Sequence, residues 1–66
     1  MEHVYTMRAP RSGKYLGLVM ALDDAGAMGA AKQVTGRKTV TVEHLTSLRM
    51  YREMESLQKR YPLRAA

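Results

Sequence analysis

The sequence predicts a small single α+β domain in which a helix, a short antiparallel β-hairpin and a second helix follow a flexible N-terminal arm. Three observations lead there. Leu48, Tyr51, Met54, Leu57 and Tyr61 recur every three or four residues, the spacing of one helical face. Val40 and Val42 alternate with Thr39 and Thr41, the period of a strand. Nearer the start, Tyr15, Leu18, Val19, Leu22 and Ala25 return to helical spacing.

Length allows one core and no second one, because a chain of 66 residues buries only roughly 60% of the surface its unfolded form exposes. Hydrophobic residues at 45% and charged residues at 26% mark a globular chain. The core is expected to be marginal: there is no Trp or Phe, and its large groups are four Tyr and six Met. Cysteine is absent, which excludes disulfides and Cys-ligated zinc and leaves oligomerisation as the expected aid.

Residues 1–13 show no sustained period and end in Pro10, Ser12 and Gly13, so they read as an arm that orders against a partner. Ser12 or Gly13 then caps a first helix from about residue 14, with Tyr15, Leu18, Val19 and Leu22 facing the core. Gly17 weakens that helix by up to about 1 kcal/mol relative to Ala. Gly26 or Gly29 ends it; the alternative is a helix continuing to Lys32. Ala31, Gln33 and Val34 form one strand, residues 35–37 the turn, and Val40 and Val42 lie on the second strand. A last helix from about Leu45 to Tyr61 buries Leu45, Leu48, Tyr51, Met54, Leu57 and Tyr61. Arg49 with Glu53, and Glu55 with Lys59, support its solvent face. Pro62 stops it, and residues 62–66 are a short tail.

Chemistry-bearing patterns are sparse. A phosphate loop needs Gly-x-x-x-x-Gly-Lys-[Ser/Thr]; aligning Gly36 as its second Gly puts Ala31 and Arg37 at two fixed positions that require Gly and Lys. His3 and His44 are far apart in sequence, so no metal-ligand spacing is expected. Asp23 and Asp24 do not converge on a helix as an acid and base would, and no Ser has an evident base beside it. No catalytic residue, cofactor or metal is therefore expected. A secretory signal over the first 27 residues is disfavoured by Asp23 and Asp24 before the would-be cleavage site. No apolar run approaches the roughly 20 residues a spanning helix needs.

The charge balance is the remaining signal. Eleven Lys and Arg against six Asp and Glu give +5 and a pI near 10, which suits nucleic acid or an acidic protein surface. No strand carries the exposed aromatics of an RNA-binding sheet. A helix-turn-helix regulator is open, with Arg49, Arg52, Lys59 and Arg60 on its recognition helix, although Glu53 and Glu55 interrupt that face.

The run Gly36, Arg37, Lys38, Thr39, Val40, Thr41, Val42, then Leu45 and Leu48, then Tyr51-Arg-Glu-Met-Glu55 resembles the head-to-tail joining proteins of tailed bacteriophages typified by the lambda W protein. The resemblance covers roughly residues 15–61 and rests on pattern and element order. His44 stands where that family commonly has Ser or Asp as a cap, with Thr41 or Thr46 as alternatives. The resemblance implies a structural virion protein of the head–tail neck. It would form a homo-oligomeric ring below the portal protein, bind the next neck or tail protein, and touch exiting DNA without sequence preference. Arg8 and Arg11 in the arm, Arg37 and Lys38 at the hairpin tip, and Arg49, Arg52, Lys59 and Arg60 on the last helix are then the expected contacts. The competing readings are a small basic DNA-binding regulator and a host-directed phage inhibitor.

Overall fold

The computed structural model describes residues 1–62, so the tail beyond Pro62 lies outside the described residues. The class is α+β, with three strands and three helices in the order β1 (His3–Arg8), β2 (Tyr15–Ala21), α1 (Asp24–Thr35), β3 (Thr41–Ser47), α2 (Leu48–Glu53) and α3 (Glu55–Arg60). The strands form one antiparallel sheet in the spatial order β2-β1-β3.

The expected N-terminal arm is instead the central strand. In β1, Val4, Tyr5, Thr6 and Met7 are all buried. A strand flanked on both edges and covered on both faces has no solvent side, so the polar-apolar alternation that betrays a half-buried strand is missing from its sequence. Tyr5 and Met7 turn toward α1, where they pack with Val19, Ala27, Ala31 and Val40. Val4 and Thr6 turn to the opposite face by the two-residue period of the pleat. There α2 and α3 provide the cover: Tyr51 is buried, and the Tyr61 ring lies 5.6 Å from that of Tyr15.

The first expected helix is also a strand. Residues 15–22 are apolar almost without interruption, a run that fits a buried strand as well as a helix. Gly17 settles the matter locally, since its φ of 137° lies outside any helix, and a Cβ there would stand 3.3 Å from the Met7 methyl. A bulge at this point shifts the register from Met7 opposite Gly17 to Arg8 opposite Tyr15.

The Ala- and Gly-rich stretch after β2 forms the long helix, which starts afresh at Asp24, so neither the stop at Gly26 or Gly29 nor a single helix from residue 14 to Lys32 describes it. Asp23 caps it by accepting the Gly26 amide at 2.7 Å. Ala27 and Ala31 are fully buried, and their small side chains let the helix lie close on the sheet. Gly36 ends it in the left-handed conformation, φ 69°, donating its amide to the Lys32 carbonyl at 2.9 Å. The hairpin expected over residues 31–42 therefore does not form: its first half is helical, its turn is a helix cap, and the Val42 strand pairs with β1.

The last helix is shorter than expected and broken. Leu45 belongs to β3, and Ser47, rather than His44, Thr41 or Thr46, caps α2 by accepting the Met50 amide at 3.2 Å. Met54 is extended, with φ −108° and ψ 98°, and separates α2 from α3. Gln58 spans the break, its Nε2 donating to the Tyr51 and Arg52 carbonyls at 3.0 and 2.8 Å. The Tyr51 hydroxyl donates to the Tyr61 carbonyl, tying the two short helices together.

Of the expected core, Val19, Val40 and Tyr51 are buried, while Tyr15, Leu18, Val42, Leu45, Leu48, Leu57 and Tyr61 are half-buried. Leu22 is 67% exposed and Met54 38% exposed, because the first lies in the β2–α1 turn and the second in the helix break.

Candidate nucleic-acid interface

The antiparallel sheet places the β1–β2 turn beside the loop that leads from α1 into β3. Thr41 at the start of β3 is opposite Arg8 at the end of β1, and its hydroxyl donates to the Arg8 carbonyl at 3.0 Å. Two segments distant in sequence thus meet at one end of the molecule. Between them lies an open groove of about 480 Å³ lined by Ala9, Pro10, Arg11, Ser12, Arg37 and Thr39.

The turn is held by its own backbone. The Ala9 amide donates to the Lys14 carbonyl and the Gly13 amide to the Ala9 carbonyl, both at 2.9 Å. Arg8 completes it, with Nη1 donating to the Gly13 carbonyl at 3.1 Å and its guanidinium 5.7 Å from the centre of the Tyr15 ring. On the other side, the Gly36 cap redirects the chain and the Arg37 amide donates to Thr35 Oγ1 at 3.3 Å. Arg11, Lys14, Arg37 and Lys38 are all exposed.

The eight basic residues expected to make contacts fall into two groups. Arg11 and Arg37 line the groove, and Arg8 and Lys38 lie in the same two segments, together with Lys14, whose charge had no assigned role in the sequence. Residues 8–14 and 36–42 contain no Asp or Glu, so five of the chain's eleven Lys and Arg stand there without a neighbouring acid in either segment. Arg49, Arg52, Lys59 and Arg60 lie elsewhere, on α2 and α3. Arg49 pairs with Glu53 at 3.6 Å and Lys59 with Glu55 at 3.7 Å, as their four-residue spacing leads one to expect. Arg49 and Arg52 line a second groove of about 460 Å³ together with Glu2 and Glu53, a mixed-charge surface unsuited to a phosphate backbone. Arg60 stands 5.7 Å from the centre of the Tyr61 ring.

Arg8 is the one member of the basic group already committed, since it clamps the turn and stacks on Tyr15. Its contribution is to position the turn; Arg11 and Arg37 are the side chains that face the groove. No motif could have found this pairing, because it depends on β3 crossing back beside β1.

At the other end of the sheet the charge reverses, with Asp23 and Asp24 around the start of α1. The phenol of Tyr5 is pushed above its ordinary value of 10.0, first by burial, then by its hydrogen bond to Asp24 and by the charges of Asp24 and Asp23. Among the described residues no group of three or more His, Cys, Asp or Glu side chains gathers that could hold a metal, and no helix is long and apolar enough to cross a membrane. Compared with known proteins, the chain matches no family profile, no curated protein and no solved structure.

Proposed function

We propose that this chain is a small non-enzymatic protein that binds nucleic acid through its phosphate backbone, using the basic end of the sheet. The observation that carries this reading is the shared groove of Arg11 and Arg37, in two segments that also carry Arg8, Lys14 and Lys38 and no acid. Such a cluster attracts phosphates by charge and carries no sequence code of its own. Two further features favour backbone contact over base readout. Tyr5 on the central strand is buried, so it offers no stacking platform to an unpaired base. The helix once expected to read a groove is split at Met54 and laced with Glu53 and Glu55.

The test is fluorescence anisotropy with labelled duplex and single-stranded oligonucleotides of several sequences, between about 50 and 200 mM salt. Binding that weakens steeply with salt and ignores sequence supports the reading. Absence of binding at the low end of that range overturns it.

A second reading, the head-to-tail joining protein, loses the helix–hairpin–helix order on which the resemblance rests. One observation still favours it: β2 and β3 are the two edges of the sheet, and among the described residues neither pairs with a further strand. Pairing the β2 edge of one copy with the β3 edge of the next is a heterologous contact that closes into a ring when the rotation permits. The portal and a neck or tail protein would then be the partners, in the virion. Native mass measurement separates the readings, since a defined ring on a portal, without duplex affinity of the monomer, is the outcome this alternative requires.

A further inference from the structure

His3 and His44, remote in sequence, are neighbours in the sheet. His44 is the cross-strand partner of Tyr5, and both Tyr5 and His3 lie on the α1 face of β1. A bulge makes this possible. The β1–β3 register shifts between Val4, opposite Thr46, and Tyr5, opposite His44, leaving Leu45 as the extra residue. Without that residue's insertion Leu45 would occupy the α1 face and His44 would point away from His3.

The two rings share a hydrogen bond, and their spacing also suits a pair of metal ligands. Nε2 of His44 and Nδ1 of His3 are 3.0 Å apart, with ring centroids separated by 5.0 Å. The Tyr5 ring meets His44 edge-on at 5.4 Å, so a buried side chain buttresses the imidazole. Metal–imidazole bonds of about 2.0–2.1 Å, at angles between square-planar and tetrahedral, place adjacent donor nitrogens about 2.9–3.4 Å apart. The observed separation falls in that interval. In the free pair one ring N–H donates to the lone pair of the other. A cation takes its place once that proton shifts to the donor ring's other nitrogen, so that both facing nitrogens present lone pairs, and His44 is open to solvent on its outer side.

We propose that His3 and His44 form a two-imidazole site for a divalent transition cation, taking Cu²⁺ ahead of Ni²⁺ and Zn²⁺. Imidazole suits all three, and Cu²⁺ heads their order of affinity. No third His, Cys, Asp or Glu joins the pair among the described residues, so water fills the remaining positions. The site is at the opposite end of β1 from the basic groove and does not depend on nucleic-acid binding.

The experiment is calorimetric titration of the full chain with Cu²⁺ in a non-coordinating buffer near neutral pH, its α-amine acetylated so that it cannot serve as a ligand beside His3. One equivalent is expected to bind, and His3→Gln and His44→Gln should each weaken it by about tenfold or more through loss of one of two donors. Far-UV circular dichroism checks that both variants keep the fold. A wild-type chain without a saturable one-equivalent site, or a folded variant that binds as tightly as wild type, overturns the proposal. Should a variant unfold, paramagnetic broadening in the wild-type protein decides. Broadening of both histidine rings by substoichiometric Cu²⁺ supports the shared site, and broadening of one ring or neither overturns it.

Discussion

Arg11 in the β1–β2 turn and Arg37 just past the cap of α1 line opposite sides of one groove. The double variant Arg11→Ala/Arg37→Ala is expected to keep its fold, because both residues are exposed and neither closes the turn. Its affinity for duplex DNA should fall, and the slope of log K against log salt should shrink by about two phosphate contacts' worth, roughly 0.9 each. Arg49→Ala/Lys59→Ala serves as the control: these side chains are paired with Glu53 and Glu55, and the slope should hardly move. Equal losses in the two doubles would show that net charge, and not the groove, sets binding.

Val4 separates an arm from a central strand. It is fully buried, with 0% of its surface exposed, at the middle of a strand paired on both sides. Val4→Ala should cost about 1.5–3 kcal/mol, the scale of burying such a side chain, and deletion of residues 1–8 should abolish cooperative unfolding. A mobile arm would make both changes nearly silent in a urea titration. Native-state hydrogen exchange gives the same test without mutation, with the amides of β1 among the slowest.

How the sequence conceals β1 follows from where that strand sits. Periodicity reports a surface shared between core and water, and the legible elements have such a surface. Tyr51 and the ion pairs Arg49–Glu53 and Glu55–Lys59 stand where spacing places them, and so does Val42 in a strand, with Val40 buried just ahead of it. Tyr5, Thr6 and Met7 have no water side and leave no period. The run from Tyr15 to Ala21 is apolar at nearly every position, so helical spacing can be picked out of it although the chain is extended. Gly26 and Gly29 suggested a stop, yet Asp23 ahead of them and Gly36 beyond them are the true caps. Four of the five bases at that end, all but Lys14, were legible as residues, and none of them as a place, because the groove needs β1 and β3 side by side.

Glycine chemistry along α1 offers a paired test of that helix. Gly29 is exposed in the helix interior, and a Cβ there would meet nothing within 4 Å. Gly29→Ala should therefore stabilise the protein by about 0.5–1 kcal/mol, the difference in helix propensity. Gly36 also has open space around it, but its φ of 69° disfavours any side chain. Gly36→Ala should destabilise by about 1–2 kcal/mol. Thermal or urea unfolding of the two variants should give opposite signs. A hairpin turn at Gly36 with the helix ended near Gly29 would instead make Gly29→Ala destabilising.

Tyr5 gives the fold an alkaline limit. Burial and the carboxylate of Asp24 both favour the neutral phenol, so its folded pKa is above the unfolded value of 10.0. The sign is that of a raised group: below pH 10 both states hold the proton and the contribution is complete. Above it the unfolded chain loses the proton first, and stability falls with each step in pH until the folded pKa is passed. Urea midpoints measured from pH 8 to 11 should decline at the upper end in wild type. Tyr5→Phe keeps the ring against Val19 and Ala27 but has no proton to lose, so its decline should be shallower than that of wild type. A variant whose alkaline decline matches wild type would assign the effect to other groups and remove the buried Tyr5 phenol as its source.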